Sequence, residues 1–241
     1  MPFNVLLKKI DNKTMNRIWW AAVFFSLGLF PLAAQEVLRG EVSIELEPVY
    51  GGFIDEEYPL DADTARRRAL EEAAMFYSAM IYGWSFHYDI GEKARGIAEE
   101  LELTPDGVIP FGDPGLRATD AEVRDMRLRL WTDYRLTEAQ QRRMRMWRSG
   151  TIRGAQAIGY GPLGGPKQID DWMSIRRAGL EDAARAALRA MLRGSERNRP
   201  KEASGFISLA AFPNYFMDSG HWAAAVRFRV EITEIIPFAA Y

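Results

Sequence analysis

Two stretches of this chain are nearly the same. Arg66–Ala74 reads Arg-Arg-Arg-Ala-Leu-Glu-Glu-Ala-Ala, and Arg176–Ala184 reads Arg-Arg-Ala-Gly-Leu-Glu-Asp-Ala-Ala. Six of the nine positions are identical, and Glu72 and Asp182 are both acidic. Each stretch is followed by strand-like sequence that ends in Ile-Pro-Phe, at Ile109-Pro110-Phe111 and at Ile236-Pro237-Phe238. A repeated order of elements restricts the fold to an assembly of two similar units. The expectation is a degenerate duplication, with half-repeats over about 38–111 and 126–238.

The second unit reads more clearly. Its helix should open near Asp170 or Asp171, whose carboxylates can cap free amide groups. Trp172, Ile175, Leu180, Ala183, Ala184, Ala187, Leu188, Met191 and Leu192 then recur at helical spacing along one face. Gly194 after Arg193 is a stop signal. Beyond the turn at Asp218-Ser219-Gly220, Trp222, Ala224, Val226, Phe228, Val230 and Ile232 alternate with Ala223, Ala225, Arg227, Arg229, Glu231 and Thr233. That is a long strand with one apolar face, as in an antiparallel sheet.

The first unit repeats the plan. Val42, Ile44 and Leu46 alternate with acidic and polar residues in an opening strand. A helix follows from Asp61 or Asp63 and buries Ala65, Ala69, Leu70 and Ala73. Tyr82, Trp84, Phe86 and Tyr88 alternate in a second strand. Glu92–Leu103 fits strand or helix equally, and Thr104-Pro105-Asp106-Gly107 is a turn. Between the units, Met126, Leu128 and Leu130 suggest a strand, Thr137 to Gln140 fits a capping box, and glycine- and proline-rich Ile158–Lys167 reads as loop. The fold class is α+β: a mostly antiparallel sheet with helices packed on one face.

Ahead of this body runs an uncharged apolar segment, Ile18–Ala34, with Lys8, Lys9, Lys13 and Arg17 on its N-terminal side and small residues after Pro31. That is the order of a secretory signal. A retained membrane helix needs about 20 apolar residues, and this run is at the short end of that range. Residues 1–34 are therefore read as a signal peptide cleaved near Ala34, and 35–241 as a single domain that is periplasmic or secreted. Gln35 stands where a lipoprotein signal needs cysteine, so no lipid anchor is expected. The chain has no cysteine at all, which excludes disulfides and thiolate metal sites.

The net charge of −2 becomes more acidic once the basic leader is gone, so nucleic acid is a poor partner. Gly159-Tyr160-Gly161-Pro162-Leu163-Gly164 spells a dinucleotide fingerprint in letters only. Its prolines oppose the helix start that such a site needs. His87 and His221 are the only histidines and lack metal-ligand spacing. The carboxylates Asp55-Glu56-Glu57, Asp61, Asp63 and Asp170-Asp171 sit where caps and solvated loops favour acids. No catalytic residue, metal or cofactor is expected.

Two surfaces remain as candidates. Arg124–Arg153 carries nine arginines, and Arg142, Arg143, Arg145 and Arg148 are the expected contacts for an acidic envelope partner. The aromatic row Tyr82, Trp84, Phe86 and Tyr88 is either core beneath a helix or, alternatively, a platform for stacking on cell-wall glycan.

The two helix motifs, Arg66–Ala74 and Arg176–Ala184, and their flanking strands resemble the periplasmic α/β module of the flagellar assembly protein T family and related small secreted lipoproteins. The resemblance implies a non-enzymatic envelope role, often in assembly around the flagellar base, and carries no site residues. The expected function is an exported, non-catalytic binding or assembly factor with an envelope protein as partner. A glycan-binding protein or glycan-acting hydrolase is the alternative. Oligomeric state is not legible.

Overall fold

In the computed structural model, residues 36–47, 58–92, 96–163, 172–193 and 200–237 are described. The leader, Asp55–Glu57, residues 164–171, Gly194 and Phe238 lie outside them. The described residues fall in one compact unit that begins at Glu36. Among them, no helix is long and apolar enough to cross a membrane.

The fold is α+β. The elements are β1 (Val37–Glu45), α1 (Ala62–Ile81), β2 (Trp84–Asp89), β3 (Glu100–Pro105), β4 (Leu116–Arg124), β5 (Arg127–Arg135), α2 (Glu138–Met146), β6 (Arg153–Leu163), α3 (Trp172–Arg193), β7 (Pro200–Leu209), β8 (Asn214–Asp218) and β9 (His221–Pro237). All named strand pairs are antiparallel. A three-stranded sheet has the order β1-β5-β4. A six-stranded sheet has the order β3-β2-β7-β9-β6, with β8 also on β9.

The pairing follows the repeated elements. The opening strands β1 and β5 pair with each other, Val42 opposite Leu130. The strands after the two long helices, β2 and β7, pair at Phe86 and Gly205, and their hairpin partners β3 and β9 lie outside them. Two strand–helix–hairpin units joined about a local twofold would give this order. Against the order β1-α1-β2-β3, the order β5-α3-β7-β9 carries α2, β6 and β8 as insertions.

Local chemistry sets the helix starts. Asp61 Oδ1 accepts from the amides of Asp63 and Thr64, both at 2.9 Å, at the start of α1. Thr137 and Gln140 cap α2 reciprocally. From Phe76 to Ile81, every residue of α1 is buried, because the helix packs against β1 and β5 of the small sheet and β7 of the large one. A helix apolar on all sides belongs inside. Tyr77 can be buried there because its hydroxyl donates to the Thr132 carbonyl at 2.8 Å.

Several sequence expectations need correction. Ile158–Leu163 is not loop but the second half of β6. Its glycines answer to packing: a Cβ on Gly159 would lie 2.0 Å from the Ala183 amide nitrogen and 2.3 Å from the Gly179 oxygen of α3. Pro162 is tolerated because β6 is an edge strand. The first five letters of the dinucleotide fingerprint, Gly159 to Leu163, therefore fall in a strand under a helix, and Gly164 lies outside the described residues. The aromatic strand starts at Trp84, since Tyr82 caps α1. The ambiguous Glu92–Leu103 resolves into an isolated bridge, Glu92 to Ile97, and the start of β3. Strand β4 was not expected. It joins β5 through Asp125 and Met126, both at positive φ, the backbone of a tight hairpin turn.

Candidate binding site

Helices α1 and α3 leave a cleft of about 540 Å³ between them over the large sheet. Its walls follow from helical spacing. Glu71, Met75 and Ala79 stack four residues apart on α1, with Ala74 and Ser78 beside them. Met173, Arg177, Leu180, Glu181 and Ala184 face them from α3. Small side chains at Ala74, Ala79 and Ala184 leave the volume open. Trp84, Leu103 and Phe228 come from the sheet.

The mouth is the segment after β3. Ser78 holds it, because the Ile109 amide donates to Ser78 Oγ at 2.8 Å while that hydroxyl donates to the Ala74 carbonyl at 2.6 Å. Gly107 lies against the Tyr82 ring, where a Cβ would come within 2.7 Å. Val108 and Phe111 line the cleft yet are 70% and 57% exposed. Exposed apolar side chains at the lip of an apolar concavity suit binding.

Ser78 Oγ both donates and accepts within the protein. Glu71, Arg177 and Glu181 supply charge of both signs. Met75 and Met173 are adaptable surfaces that can mould to an apolar guest.

The sequence-derived candidates are only partly brought together. Phe86 and Tyr88 are buried core, so the glycan platform of four rings does not exist as one face. Trp84 alone of that strand lines the cleft. The Tyr82 hydroxyl instead accepts from Gln140 Nε2 at 3.0 Å. Buried Tyr88 donates to Glu99, which also receives Arg189. Burial opposes ionisation of Glu99, but these donors outweigh it and hold its pKa below the ordinary value.

The four arginines divide. Arg143 donates to the Tyr82 carbonyl at 3.2 Å and pairs with Asp106 at 2.5 Å. Arg148 pairs with Glu36 at 2.6 Å. Arg142, 4.0 Å from Glu138, is exposed, as is Arg145. Further along the same stretch, Arg127 pairs with Glu45 of β1 at 2.5 Å and Arg129 approaches Glu41 at 3.9 Å. Cross-strand acids thus neutralise much of the basic patch.

The histidines behave differently. His221 Nδ1 lies 2.9 Å from the Gly161 carbonyl oxygen. His87 meets Asp89 and Glu202 on the exposed sheet face, their ligand atoms within 4.8 Å of one another. Strand pairing creates that group, so residue spacing could not reveal it. Lys201 bonds Glu202 and supplies a cation there.

A family model matches residues 29–238, and the chain belongs to that family. A protein of Treponema pallidum (strain Nichols), described as an uncharacterized protein, is 27% identical over 171 residues. The match covers 71% of this chain and 69% of that relative. No solved structure matches.

Proposed function

We propose that this family member is an exported, non-catalytic binding factor of the cell envelope, which takes an apolar segment of an envelope protein partner into the cleft between α1 and α3. The single observation that carries the binding reading is the cleft itself. It has the volume of a ligand site, roughly 300–1,000 Å³, and an apolar lining with exposed Val108 and Phe111 at its lip. The leader supports export. The resemblance of the paired helix motifs to the flagellar assembly protein T family makes the flagellar base one setting for such a partner. Arg142 and Arg145, exposed on α2, would add contacts to acids on the partner.

The cleft is tested by titrating the full chain with the apolar fluorophore N-phenylnaphthylamine. Saturable binding of one probe, lost in Ala184→Trp and retained in Val123→Trp on exposed β4, is expected. Equal binding by all three proteins would contradict the proposal.

A second reading rests on Trp84. Its indole lies in the cleft with Glu71 and Glu181, a combination that suits a sugar ring. Quenching of Trp84 fluorescence by cell-wall glycan fragments, with no N-phenylnaphthylamine binding, would favour it.

A further inference from the structure

Five buried side-chain polar atoms among the described residues have no hydrogen-bond partner: Ser43 Oγ, Arg68 Nη2, Arg176 Nε, Arg176 Nη1 and Ser208 Oγ. Such atoms are rare in folded proteins because each forfeits its hydration. Three of the five belong to Ser43 and Arg176, and both residues line one cavity of about 460 Å³, separate from the cleft.

Arg176 on α3 has a side chain only 2% exposed. Its guanidinium carbon is 3.9 Å from the Tyr215 ring centroid, 4.1 Å from that of Trp172 and 4.7 Å from that of Trp222. Ring faces stabilise a cation but accept none of the in-plane N–H groups in the ordinary way. The polar groups beside it are bonded elsewhere or misaligned. The Tyr215 hydroxyl donates to the Arg176 carbonyl at 2.9 Å. Glu72 Oε2 accepts from Trp172 Nε1 at 3.1 Å. Glu72 Oε1 is 3.3 Å from Arg176 Nε, close enough for ion pairing but not aligned as a hydrogen bond. Burial also pushes the Glu72 carboxyl up, against the pull of Arg176 and Trp172, which weakens it as a counter-ion.

The rim of the cavity is nearly balanced. Arg127 faces Glu45, Arg129 faces Glu41, and Arg39 reaches Asp133 at 3.6 Å. The uncompensated feature is therefore deep: a guanidinium N–H and a hydroxyl, with Phe76 and Phe212 as apolar wall.

We propose that this cavity binds a small molecule bearing an oxyanion, carboxylate or phosphate, whose oxygens accept from Arg176 Nη1–H and Ser43 Oγ–H. Guanidinium geometry suits both groups. The site does not depend on the cleft reading, since the two cavities are lined by different residues.

The test is calorimetric titration of the full chain with inorganic phosphate and, separately, with succinate, each up to about 10 mM. Saturable binding of either probe supports the site, and the arm that responds identifies the anion. Ser43→Ala removes a hydroxyl without a protein partner, so its fold should be intact, and affinity should fall about three- to tenfold, the effect of one hydrogen bond. Arg176→Lys should abolish binding, and Val123→Trp, on exposed β4, should leave it unchanged. Absence of binding by both probes, or equal affinity in wild type and Ser43→Ala, would overturn the proposal.

Discussion

Glu72 and Arg176 meet inside the protein, Oε1 to Nε at 3.3 Å, although each comes from one copy of the repeated helix motif. The contact joins α1 to α3, and each side chain is only 2% exposed. Removing one partner of a buried pair leaves a stranded charge and typically costs about 3–5 kcal/mol, whereas replacing both by apolar groups can be neutral. Glu72→Leu alone should therefore lower stability strongly in urea unfolding. Glu72→Leu with Arg176→Met should lose less than that single change.

The same pair fixes a pH response. The Glu72 pKa is raised above 4.5 in the folded state. Between the unfolded and folded values the native state holds the extra proton, so stability falls as pH rises through that window. Thermal unfolding from pH 4.5 upward should show this decline in wild type. Glu72→Gln should lack it.

Glu99 should act in the opposite sense. Its pKa is lowered by Arg189 and Tyr88 despite partial burial. Its stabilisation is present above the ordinary 4.5 and is lost as pH falls through the lower folded value. The acid limb of the melting-temperature profile should be shallower in Glu99→Gln than in wild type.

Gly159 tests the contact between β6 and α3. Adding a methyl group there drives it into the α3 backbone, and overpacking of this kind costs about 1–3 kcal/mol. Gly154, five residues earlier in β6, has nothing within 4 Å of its Cβ position. Gly154→Ala should fall within about ±0.5 kcal/mol of wild type. Equal effects of the two substitutions in denaturant melts would contradict the packing account.

Ser78 governs the lip of the cleft. Ser78→Ala strands the buried Ile109 amide, a loss of about 1–3 kcal/mol. Hydrogen exchange should accelerate at Ile109 before it does in the core of β9.

Much of the fold was legible because period and caps are local. The alternation of β9, the Asp61 cap and the Thr137–Gln140 box all depend on neighbours in sequence. What was missed depends on distant partners. Gly159 and Gly161 look like loop residues until α3 is placed over them. Phe86 and Trp84 share a strand face, yet one is core and the other lines the cleft, because α1 and α3 cover the sheet unevenly. Arg176 aligned with Arg66 in the repeat, but only Arg176 is enclosed, and no spacing marks that difference. The cleft itself arises between two helices and has no signature in either.

The most direct measurement is in-cell photo-cross-linking from Val108 in the full chain, followed by fractionation. The account predicts a discrete adduct with one envelope protein outside the cytoplasm, lost in Ala184→Trp and kept in Val123→Trp. A cytoplasmic, uncross-linked chain, or an adduct indifferent to Ala184→Trp, would contradict it.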